Sequence, residues 1–68
     1  MTYSLHQLRV IEEAKALWAK VEALEKFLEG ALYPTLPAAE KQYLLTQAIA
    51  MCDYYDALSG RIALWATP

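Results

Sequence analysis

A single cysteine, Cys52, rules out an intrachain disulfide, and a single histidine, His6, leaves no Cys/His cluster for structural zinc. Lysine and arginine total 6 against 8 acidic residues, with no basic block. Gripping a nucleic-acid polymer needs a basic face, so that class of function is set aside. No apolar run approaches the roughly 20 residues of a membrane span. The opening MTYSLHQLRVIEE has no basic segment ahead of an apolar core, so it does not read as a signal peptide. With one unpaired cysteine, the expected compartment is a reducing cytoplasm. β-Branched residues are few and period-two alternation is missing, which argues against strands. No Gly-rich phosphate loop is present.

What is present is apolar. The chain is 57% hydrophobic and 21% charged, which excludes a disordered tail. Its 68 residues make one domain, 1–68, with a small share of buried surface. Small scaffolds lean on disulfides, metals or oligomerisation, and only the last is left here.

One break divides the chain. GALYPTLP, Gly30 to Pro37, holds two of the three prolines and one of the two glycines. The segments on either side predict helices over about 4–29 and 36–66, with a loop at about 30–36. In the first, Val10, Ala14, Leu17, Val21, Leu24 and Leu28 recur in steps of four and three, a single stripe on an α-helix. Ile11 and Trp18 widen it. Ser4 is the expected N-cap. Glu22 and Lys26 form a favourable i,i+4 pair. Glu12 and Glu13 suit the positive end of the helix dipole. Gly30 is the expected left-handed C-terminal residue.

The second helix should start at Thr35 or Leu36, with Pro37 in its first turn. Its stripe is Leu44, Ala48, Met51, Tyr55, Leu58, Ile62 and Trp65. Gly60 falls inside this pattern. The phase of Ile62 and Trp65 favours a helix that runs through it, the alternative being a stop at Gly60 and a short tail. Two helices and a short loop make an all-α antiparallel hairpin, with each arm roughly 40 Å long.

One hairpin cannot bury all of this surface. Leu45, Ile49, Cys52 and Ala63 lie on one flank of the second stripe, and Tyr43, Ala50, Ala57 and Leu64 on the other. A helix that is apolar nearly all round belongs in a core. The expected state is a homo-oligomer, at least a four-helix bundle, with Leu45, Ile49, Cys52 and Leu64 at the interface. Helix-forming alanines explain part of this pattern, but not Leu45, Ile49 and Leu64 together.

Catalytic residues are not evident. No nucleophile sits beside a base, and His6 lies in a first turn prone to fraying. Asp53 and Asp56 share a polar arc, where carboxylates solubilise more often than they catalyse. No metal or cofactor is expected. CDYYDALSGRI, Cys52 to Ile62, is the informative stretch. Tyr55 is in phase with the core, whereas Tyr54 is turned away in a column with Ala57 and Arg61. Arg61 has no acid three or four residues earlier. Counting from the loop, Arg9 comes level with Ala57 to Arg61. A tyrosine face and two guanidinium forks suit a base and its phosphates. A plainer account is also open: Arg61 favoured by the helix C-terminus, and Arg9 paired with Glu13.

Several elements resemble a family of very small proteins of tailed phages and prophages, the crAss-like-phage-related proteins. The family opening R-V-x-E-E is Arg9, Val10, Glu12 and Glu13. The L-x-x-K-x-x-x-L-x-x-F element is Leu17, Lys20, Leu24 and Phe27. Leu36, Pro37, Glu40 and the segment Tyr43 to Leu45 match the start of the second helix. Met51, Tyr54, Leu58, Arg61 and Ile62 match its close. Ala38 stands where the family pattern has a capping glutamate, which leaves the helix start open. The architecture is also similar to phage anti-CBASS and anti-Thoeris sponges, small helical hairpins that oligomerise and sequester cyclic nucleotide or cyclic ADP-ribose signals. That similarity implies binding without turnover in the host cytoplasm, with Tyr54 stacking a base and Arg9 and Arg61 holding phosphate. The other reading is a phage accessory protein that grips a host protein through the apolar flank of the second helix. Neither involves a membrane.

Overall fold

The computed structural model describes residues 3–66. Helix α1 spans Leu5–Glu29 and helix α2 spans Ala38–Ala66, with a 3-10 turn at Tyr33–Thr35 between them. The two run antiparallel, so Tyr3 meets Trp65 at the open end while Trp18 meets Tyr55 further in. The result is an all-α hairpin, with no strand among the described residues. It measures 49 × 16 × 15 Å. No helix among the described residues is long and apolar enough to cross a membrane.

The start of α1 follows from its first residues. Ser4 is extended, and its hydroxyl accepts from the Gln7 amide at 3.1 Å. The Gln7 side chain returns the favour, accepting from the Ser4 amide at 2.9 Å. This reciprocal box satisfies two amides that have no partner inside the helix, and it holds the first turn in place. Because the helix begins at Leu5, Glu12 and Glu13 lie beyond its first turn and too far along to serve the dipole. Glu12 instead faces Lys15 at 3.8 Å, an exposed pair that contributes little. Among the described residues this is the ion pair that forms, rather than Glu22 with Lys26.

The loop departs from the expected geometry in two places. Gly30 is extended, at φ −81° and ψ 172°, not left-handed. Its amide closes the helix by donating to the Phe27 carbonyl at 3.1 Å, so no left-handed residue is needed. Helix α2 begins at Ala38, later than Thr35 or Leu36. Leu36 precedes Pro37, whose ring disfavours helical backbone in the residue before it, and Leu36 is extended at ψ 154°. Thr35 is turned back, its amide and its hydroxyl both donating to the Leu32 carbonyl. The Pro37 carbonyl accepts the first helical bond, from Lys41.

The two stripes read from the sequence face each other. Val10, Ala14, Leu17 and Val21 of α1 are buried, as is Leu58 of α2, which is only 2% exposed. Met51, Tyr55, Ile62 and Trp65 pack against the cluster of Val10, Ala14, Leu17 and Leu58 and are partly buried. Leu24, Leu28, Leu44 and Ala48, nearer the loop, are half-buried. Helix α2 continues through Gly60, which keeps Ile62 and Trp65 on the inner face.

Candidate functional site

The core stripe has two edges, and they carry different chemistry. On one edge Trp18 and Tyr55 stack at a tilt, with ring centroids 4.8 Å apart and planes at 38°. Both residues lie where their helix stripe turns toward solvent, and Trp18 keeps 44% of its surface exposed. Together with Tyr3, Ile11, Ala14, Lys15 and Ile62 they line an open apolar groove of about 530 Å³. Lys15 supplies its cation, the one already beside Glu12.

On the other edge the helices meet through polar groups. Arg61 Nη2 lies 3.4 Å from His6 Nε2, in reach of a bond in which the guanidinium donates and the imidazole accepts. This links the first turn of α1 to the last turns of α2. Arg9 lies one turn on from His6, and Tyr54 two turns back from Arg61 on the same side of α2. All four side chains are exposed, Tyr54 by 46%. Neither Arg9 nor Arg61 has a carboxylate partner among the described residues, so the Arg9–Glu13 pair of the plainer account does not form. The structure thus leaves two guanidinium groups uncommitted to acids on one side of the open end.

Arg9, Tyr54 and Arg61 therefore share a side, as the sequence suggests, but they do not close into a cavity. No hydrogen bond or ring contact joins the three to one another among the described residues. His6 is the residue that sequence reasoning set aside. The signal that could have kept it was Ser4-x-x-Gln7, a capping box that prevents the fraying assumed for that turn. The groove around Trp18 and Tyr55 was also missed, although both residues were visible at the edges of their stripes.

The expected interface residues are solvent-exposed in the hairpin. Ile49 is 64% exposed, Leu64 75% and Leu45 48%, and Cys52 is exposed as well. Asp53 and Asp56 are exposed too.

Comparison with known proteins bears on the whole hairpin. The Sequestin family model matches residues 4–64. A phage T4 protein described as an uncharacterized 7.5 kDa protein in the denB-rIIB intergenic region is 47% identical over 58 residues, covering 85% of this chain and 91% of the relative. No solved structure matches the chain. The resemblance to small phage proteins is upheld at that level, while neither match speaks to the crAss-like group in particular. The family match takes in α1, the loop, α2 up to residue 64 and every residue of the two edges described above except Tyr3, and the chain belongs to the Sequestin family.

Proposed function

We propose that this protein is a phage anti-defence sponge: it binds a nucleotide-derived immune signal in the host cytoplasm and withholds it without turnover. The signal is of the cyclic nucleotide or cyclic ADP-ribose type, as for anti-CBASS and anti-Thoeris sponges. The observation that carries this reading is the open-end cluster. Arg61 and Arg9 are free of acids, Arg61 is steadied by His6, and an exposed tyrosine ring stands on the same side. Guanidinium forks bind phosphate oxygens in pairs, and a tyrosine face stacks on a base. The family name and the phage relative support sequestration as the general activity.

The reading includes self-association, which repeats this cluster in every copy of the assembly.

Native mass spectrometry with a mixture of cyclic di- and trinucleotides and cyclic ADP-ribose isomers tests this directly. Wild-type protein should take up a fixed number of one ligand and release it with unchanged mass. Arg61→Ala should keep the oligomer and lose at least tenfold in affinity. Uptake that survives Arg61→Ala, Arg9→Ala and Tyr54→Ala alike would refute the site. An assembly that takes up nothing but gains a host protein on mixing would favour the accessory-protein reading instead.

A further inference from the structure

We infer that a second copy of this chain docks on the side of the hairpin that carries the Trp18–Tyr55 groove, leaving the His6–Arg61 side open. This docking presupposes the self-associated binder proposed above and says which face it uses.

Surface area argues for a partner. The chain exposes 5228 Å². A compact monomer of 7.7 kDa exposes about 4,300 Å². The excess, roughly 900 Å², is close to the ~800 Å² that each partner contributes to a standard interface. The radius of gyration tells the same story, at 15.5 Å against about 11 Å for a compact fold of this length. A second hairpin laid alongside the first would cover area of that order and thicken the 49 × 16 × 15 Å rod, narrowing both gaps.

Chemistry chooses the side. Interface centres are rich in aromatic residues and poor in charge. The groove side offers Ile11 and Trp18 from α1 and Tyr55 and Ile62 from α2, and the exposed Cys52, one turn before Tyr55, borders it. Its cation, Lys15, already has Glu12. The opposite side carries His6, Arg9 and Arg61, and covering it would bury two guanidinium groups with no acid to receive them. A two-fold axis makes the contact self-complementary, so each groove receives an apolar side chain of the other copy. Of the interface residues expected from the sequence, Leu45 and Cys52 adjoin this side, while Ile49 and Leu64 lie on the outer face of α2.

Sedimentation equilibrium on wild type, Trp18→Lys, Cys52→Lys and Leu64→Lys decides the matter, with helix content followed by circular dichroism. Wild type should weigh twice the monomer or more. Trp18→Lys and Cys52→Lys should fall toward monomer mass, and Leu64→Lys should keep the wild-type mass. Trp18 touches the core edge and its variant could unfold, but Cys52 is exposed, so its lysine variant remains informative. Dissociation by Leu64→Lys, alone or with the others, would overturn the assignment of a single face. So would a monomeric wild type, and native mass spectrometry with the same nucleotide mixture separates that failure from failure of the sponge reading. Loss of ligand uptake in Trp18→Lys at unchanged mass would make the groove a ligand site and overturn the docking.

Discussion

The two edges of the hairpin are made by the same pair of helices and end in opposite chemistry. One closes with a stacked Trp18–Tyr55 pair and an apolar groove. The other closes with Arg61 against His6, and with Arg9 nearby. The difference arises from position within each stripe. Trp18 widens the α1 stripe on one side, while His6 and Arg9 border it on the other. Tyr55 and Arg61 border the α2 stripe in the same way. A two-helix protein has only one seam to bury, so whatever borders that seam becomes surface. Here one border is suited to exclusion from water and the other to contact with anions.

The largest effect should come from the seam that both edges share. Leu58→Ala removes the most buried side chain of α2 and should cost about 2–5 kcal/mol in urea denaturation, lowering the midpoint without a large change in slope. Both edges would loosen together, so partner docking and ligand uptake should fall in parallel. If only one of them fell, the seam would not be the common support described here.

A smaller effect should be confined to the polar edge. Ser4→Ala opens the capping box and should cost about 1 kcal/mol. Because His6 sits in that turn, ligand uptake should weaken more than self-association does. Equal losses would show that the first turn supports both edges alike. The smallest effect concerns the outer surface of α2, between the two edges. A methyl group added at Gly60 meets nothing within 4 Å. Gly60→Ala should therefore stabilise the protein by roughly 0.5–1 kcal/mol with no change in mass by sedimentation. A destabilised or dissociated variant would mean that a partner lies against the back of α2 rather than over the groove.

Much of the fold was legible because it depends on spacing. Steps of three and four locate both stripes, and the stripes pair in only one way once the loop is short. Continuity through Gly60 followed from the same phase. The loop was less legible because its outcome turns on competing local bonds. Gly30 could have been left-handed, but its amide reaches the Phe27 carbonyl from an extended conformation. The start of α2 was displaced by the Leu36–Pro37 step, a restriction that is readable from the sequence once Pro37 is asked what it does to its predecessor. For the site, sequence order placed Arg9, Tyr54 and Arg61 on one side but could not say that Arg61 would reach across to His6. That contact depends on the registration of two helices whose first and last turns are 55 residues apart. The groove needed the same information.

The most direct test is native mass spectrometry of the wild-type protein in the presence of the cyclic nucleotide and cyclic ADP-ribose mixture. The expected result is an assembly of at least two chains that carries one ligand species at a fixed ratio and releases it with unchanged mass. A single chain of 7.7 kDa with no added mass would contradict both halves of the account at once.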